Sequence, residues 1–92
     1  RNAALPSARM SMGCSENRAT HKIYCFGGAT SGIFDEILEY IPASDIVTAR
    51  NARLPSARTN LACAENSLTH KIYCFGGYFP NSPVNQILEY IP

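Results

Sequence analysis

The sequence predicts an all-β fold built from two equivalent units, on three observations. RNAALPSAR (Arg1 to Arg9) returns as RNARLPSAR (Arg50 to Arg58), and THKIYCFGG (Thr20 to Gly28) returns at Thr69 to Gly77, both 49 positions on. ILEYIP (Ile37 to Pro42) returns at Ile87 to Pro92, 50 positions on. Each unit is a chain of short, β-rich segments bounded by Gly, Pro and polar clusters, the pattern of hairpin-connected strands. The units divide the chain at 1–49 and 50–92.

The elements follow in order. MSMGCS and its counterpart NLACAE are short apolar or small-residue stretches and read as first strands. The polar runs ENRATH and ENSLTH that follow them read as hairpin connections. KIYCF alternates and runs into a Gly pair, which reads as a second strand closed by a turn. The next segment differs between the units, ATSGIFDE against YFPNSPVNQ, and it absorbs the extra residue that changes the offset. A segment that varies in length between fixed flanks is a surface loop. EILEYIP and QILEYIP fit a helical period, but each window is short and closed by Pro, so a third strand is expected. ASD is a turn, and IVTARNARL is a β-branched fourth strand ended by Pro55.

At 92 residues, 46% hydrophobic and 16% charged, the composition is that of an ordinary globular sequence. Alone, a chain of this size buries only a modest core. The formal net charge of +1 is spread among both signs, which argues against a nucleic-acid partner. No apolar run nears the roughly 20 residues needed to cross a bilayer, so no membrane partner is expected and the chain is read as soluble. It begins at Arg1 without an initiator Met. That start suits a processed, excised or engineered segment.

The order LPSAR, short strand, KIYCFGG, loop, ILEYIP, SDIVTA resembles the kelch repeat over essentially the whole chain. The unit length of about 50 residues matches the kelch period. One departure stands out: Val47 occupies about the place where kelch repeats usually carry a Trp. The resemblance implies two four-stranded β-propeller blades, the second, 50–92, lacking its own fourth strand, and residues 1–4 forming the tail of a preceding fourth strand. Propellers have typically four to eight blades, and two leave apolar flanks open. Head-to-tail association closes a ring when the rotation per subunit allows it. The expectation is a homotrimer with six blades; the alternative is a tetramer with eight. In such a ring, Arg1 to Ala4 of a neighbouring copy would cover part of the missing strand.

The candidate site residues follow from the repeat and the resemblance. Arg9 and Arg58 follow PSA before each innermost strand, and kelch domains that bind acidic peptides use Arg at this motif position. A ring of guanidinium groups suits carboxylates. Stitching adjacent loops together is an equal alternative for both. Tyr78, directly after the second Gly pair, matches a frequent partner contact of ligand-binding kelch domains, and Phe79 beside it would add a second aromatic anchor; the alternative is that both rings only pack the loop. Ser11 and Asn60 lie two residues past each Arg and are placed to line a central channel.

Gly27, Gly28, Gly76 and Gly77 fit no nucleotide-binding spacing and read as backbone requirements. The four cysteines lack a C-x-x-C pair, so they are expected as buried thiols rather than cross-strand disulfides or a metal site. Persistent thiols point to a reducing, cytoplasmic setting. His21 and His70 read as exposed hairpin residues, and Glu16 and Glu65 as members of the same hairpins. No nucleophile, base and orienting group stand together, so no catalytic residue, metal or cofactor is expected. The leading function is a non-enzymatic protein-binding or scaffold module with an Arg and aromatic face for acidic peptides. The alternatives are an engineered or fragmentary blade pair with no evolved ligand, and a kelch-type enzyme resembling copper oxidases or sugar isomerases.

Overall fold

The computed structural model describes residues 4–79, 82, 83 and 85–92. The described residues form no helix. Among them, nine strands make up two antiparallel sheets and a small ribbon: β1 (Gly13–Asn17), β2 (Lys22–Phe26), β3 (Glu36–Ile41), β4 (Ile46–Arg53), β5 (Ala62–Glu65), β6 (Ile72–Phe75), β7 (Tyr78–Phe79), β8 (Ser82–Pro83) and β9 (Ile87–Tyr90). The first sheet has the order β1-β2-β3-β4, the second β5-β6-β9, and β7-β8 is the ribbon. Of the expected fourth-strand tail at 1–4, Arg1, Asn2 and Ala3 lie outside the described residues, and Ala4 is in no strand.

Local chemistry explains each turn. At the β1–β2 hairpin, Asn17 Oδ1 accepts from Ala19 N–H at 3.0 Å, and His21 N–H returns to Asn17 C=O at 2.7 Å. His21 takes the left-handed φ of 61° that closes the turn. The second unit repeats the device: Asn66 Oδ1 accepts from Leu68 N–H at 3.0 Å and His70 has φ 60°. Between β3 and β4, Asp45 has φ 59°, donates its N–H to Ile41 C=O and accepts from Tyr40 Oη. Asp and Asn tolerate this backbone region better than most residues.

The first strands begin later than the composition suggests. Ser11 and Asn60 have φ of 62° and 60°, which breaks the extended run, so β1 and β5 start at Gly13 and Ala62. The preceding Met10 and Thr59 instead pair with Ala29 and Tyr78. β1 reaches through Glu16 and Asn17, which the polar composition assigns to the connection.

Alternation sorts the side chains between faces. In the first sheet, the pairs Tyr24 with Glu39 and Phe26 with Ile37 lie on one face, and Ile23 with Tyr40 and Cys25 with Leu38 on the other. The first face packs on the second sheet. Tyr24, Phe26 and Ile37 share a core with Leu54, Leu61, Ile72 and Cys74, with Cys63, Leu88 and Tyr90 packed against it. The ring of Tyr90 sits 5.4 Å from both Tyr24 and Phe26, tilted to one and edge-on to the other. β1 lies against β5 and β6, so the sheets meet along their first strands.

The cysteine pairs are cross-linked, which corrects the expectation of buried thiols. Cys14 stands directly opposite Cys25, and Cys63 opposite Cys74. Both pairs are disulfides, and no free cysteine remains. Alternation puts a thiol on a face equally well whether it is free or bonded. Only the strand register, which aligns the two positions across the ladder, separates the cases.

Candidate functional site

The segments carrying Arg9 and Arg58 enter their units beside the Gly pairs. Met10 and Ala29 exchange backbone hydrogen bonds at 2.8 and 2.9 Å, and Thr59 and Tyr78 do so at 3.1 and 2.7 Å. This brings Arg9, Ser11, Arg58, Asn60 and Tyr78 to one end of the paired sheets, with the variable loops beside them. Phe79 follows in β7, and its side chain lies outside the described residues.

The glycines explain how closely the units approach. Gly28 N–H donates to Arg58 C=O of the second unit at 3.1 Å, and Asn60 N–H donates to Ser11 C=O at 2.7 Å. A Cβ at Gly27 would run into the Arg58 carbonyl oxygen, and one at Gly28 would lie 2.6 Å from Met12 Cγ. Gly27 and Gly28 also have φ of 69° and 99°. Position and conformation both demand glycine here.

Both arginines turn inward. The Arg9 side chain is 2% exposed, and its Nη2 meets Glu36 Oε1 at 2.9 Å and donates to Ser7 Oγ at 2.9 Å. Its guanidinium carbon lies 4.0 Å from the centre of the Phe34 ring, a cation–π contact. Arg58, also 2% exposed, donates from Nη2 to Ser56 Oγ at 2.7 Å and to Gln86 Oε1 at 2.9 Å. The two sites are repeat-equivalent, with a carboxylate in the first and an amide in the second. Arg9 Nε and Nη1 and Arg58 Nη1 are buried without a hydrogen-bond partner. In the single chain these guanidinium groups tie loops to β3 and to the residue before β9. Ser11, Asn60 and Tyr78 are exposed.

The partners of the arginines, Glu36 and Gln86, are the residues that sequence reasoning passed over. Their signal is present: each stands directly before ILEYIP, 27 or 28 positions past its Arg. The shift in offset across the variable loop obscures the correspondence.

At the opposite, hairpin end, Glu65 is nearly buried. It accepts from Arg18 N–H at 2.7 Å and meets His70 Nδ1 at 2.9 Å and Arg18 Nε at 3.6 Å. Burial opposes its ionisation, but the bonds to His70 and the Arg18 backbone prevail and hold its carboxyl below the usual value. The equivalent pair Glu16 and His21 is looser, at 3.4 Å. Across the sheet face, Tyr24 Oη donates to the buried Glu39 Oε2 at 2.7 Å. Burial first, and then this carboxylate, push the Tyr24 phenol well above its usual range.

A cavity of about 310 Å³ opens between the sheets, lined by Phe26, Ile37, Leu54, Cys74, Leu88 and Tyr90 among others. It lies away from Arg9, Arg58 and Tyr78. Among the described residues, no three His, Cys, Asp or Glu side chains are grouped to hold a metal ion. No helix there is long and apolar enough to cross a membrane. No protein-family model and no curated protein matches the chain.

Proposed function

We propose that the chain is a pair of kelch-type propeller blades that assembles with further copies into a ring and serves as a non-enzymatic binding or scaffold module. The observation that carries this reading is the packing of two equivalent sheets head to tail. The apolar face that the first sheet buries under the second is left open on the second, so the arrangement asks to be continued. Three copies would supply six blades.

The ligand-facing surface of such a module is the end that carries the variable loops, where Tyr78, Ser11 and Asn60 are exposed. Arg9 and Arg58 support that surface from beneath. An acidic peptide reaches the Arg9 head only by displacing Glu36, so the acidic-ligand reading requires that exchange. The near-identity of the two units also favours a blade pair with no evolved ligand, in which the loops merely close the turns. Copper bound in stoichiometric amount to purified protein would instead favour an enzyme.

The expectation of a cytoplasmic setting rests on reduced thiols. With both cysteine pairs closed, that support is gone, and the disulfides favour an oxidising compartment.

Light scattering on the purified chain tests the assembly. The expected result is three times the mass of one chain. A folded monomer at micromolar concentration overturns the proposal.

A further inference from the structure

The internal contact between the two sheets is a template, because both of its halves occur twice in the chain. One half is the face of Tyr24, Phe26 and Ile37; its second occurrence is Tyr73, Phe75 and Ile87. The other half is Ile72, the Cys63–Cys74 bridge, Leu88 and Tyr90; its second occurrence is Ile23, the Cys14–Cys25 bridge, Leu38 and Tyr40. The first pairing is made within the chain. Its repeat-equivalent is left unmade on one side at Phe75 and Ile87, 46% and 64% exposed where Phe26 and Ile37 are 1% and 3% exposed; on the other side Leu38 is already buried within its own sheet, Ile23, Cys25 and Tyr40 are half-buried and Cys14 is exposed. Two backbone rungs are also left over. Gly28 N–H reaches Arg58 C=O, and Asn60 N–H reaches Ser11 C=O. The equivalent Gly77 N–H and Ser11 N–H form no such bond among the described residues.

We infer that a second copy of this chain seats head to tail on these faces in the register of the internal contact, bringing Tyr73, Phe75 and Ile87 of one copy against the Cys14–Cys25 bridge, Ile23 and Tyr40 of the next. In that register Gly77 N–H of one copy donates to Arg9 C=O of the next, and Ser11 N–H of the next donates to Asn60 C=O. This rests on the self-association proposed above and adds its geometry. The seating covers Cys14–Cys25 as the internal contact already covers Cys63–Cys74, where Cys74 is 2% exposed. Reduction of a disulfide requires access to its sulfurs, so assembly protects this bridge.

The register carries two mismatches that can be tested. Inside the chain, Arg18 of the first hairpin reaches Glu65 of the second unit. The position equivalent to Arg18 is Ser67, so the copy-to-copy contact lacks the ion pair with Glu16 that an Arg would form. Further in, a Cβ at Gly13 would meet Cys63 Sγ and Leu61 C=O at 2.8 Å, and Ala62 holds the equivalent place. The contact between copies is therefore slightly wider than the one within the chain. Ser67→Arg and Ala62→Gly each bring the second contact closer to the first.

The experiment measures the assembly equilibrium by light scattering across dilution, and the reduction rate of each bridge by alkylation and mass spectrometry. Ser67→Arg is expected to tighten assembly roughly two- to fivefold, the range of an exposed ion pair. Glu16→Gln in the same chain should cancel the gain. Phe75→Asp is expected to leave monomers in which Cys14–Cys25 reduces on the order of tenfold faster than in the assembly. Association with Ser67→Arg silent and Cys14–Cys25 unprotected overturns this register while leaving the ring standing. A folded, monomeric wild-type chain overturns both. Should Phe75→Asp fail to fold, Ser67→Arg and dilution of the wild-type chain still decide the question.

Discussion

Phe26 and Phe75 hold the same place in two sheets of nearly the same sequence, yet one is 1% and the other 46% exposed. Both follow a cysteine in an IYCF strand and both precede a Gly pair. The difference is the neighbour: Phe26 has the second sheet over it, and among the described residues Phe75 has nothing comparable. In a repeat architecture, burial belongs to the stack rather than to the residue. The same contrast separates Ile37 from Ile87.

Substitutions sharpen the comparison most where the packing is complete. Phe26→Ala should lower the unfolding free energy by about 3–5 kcal/mol, the usual range for a buried Phe. Phe75→Ala should lower that of a dispersed single chain by less than about 1 kcal/mol, because it vacates little packed volume. Equal losses in denaturant titrations would show that the two faces are equally covered. Next come the bridges. Each links positions 11 apart in sequence, and closing a loop of that length stabilises by about 3 kcal/mol in the chain-entropy picture. Replacing Cys63 and Cys74 together by Ala should cost more than replacing Cys14 and Cys25, because only the former pair also vacates the shared core. Thermal melts of the two double variants check that order.

A smaller effect is expected at the arginines. Gln86→Glu gives Arg58 the carboxylate that Arg9 already has in Glu36, and a charge-assisted bond is worth about 1 kcal/mol more than a neutral one. The variant should be more stable than the parent near neutral pH, and should lose the gain in acid as the introduced carboxylate protonates. The smallest effect concerns Glu65. Its carboxyl is held below the ordinary value of 4.5, so the stabilisation is fully present above that pH and is lost as pH falls through the lowered value. Glu65→Gln should flatten that part of the acid-unfolding profile, read by circular dichroism.

Much of the fold was legible because strand alternation, Gly pairs and the repeat all point the same way. KIYCF became β2 and ILEYI lies in β3 because Pro and Gly left each no room to become a helix. The starts of β1 and β5 were not legible. Ser11 and Asn60 sit in a left-handed conformation imposed by the rung between the units, which is a tertiary contact. The disulfides were hidden for a related reason, since a shift of one residue in register would have put Cys14 and Cys25 on opposite faces. At the loop end, Tyr78, Ser11 and Asn60 proved exposed. Arg9 and Arg58 did not, because their fate depended on Glu36 and Gln86 across a loop of unequal length. Arginine's usual surface preference gave no warning of that burial.

The two bridges have a further consequence for the chain's covalent connectivity. Each closes a loop inside one hairpin, and neither crosses between sheets. The molecule is thus two cross-linked knots on one thread, joined through residues 54–61. Cleaving that stretch at the exposed Pro55 would yield two pieces, each holding its own disulfide-pinned hairpin, with side-chain packing, a few rungs and the Arg18–Glu65 pair to draw them back together. The strength of the seam between repeats, normally hidden inside a folding equilibrium, would then become an ordinary affinity between two fragments.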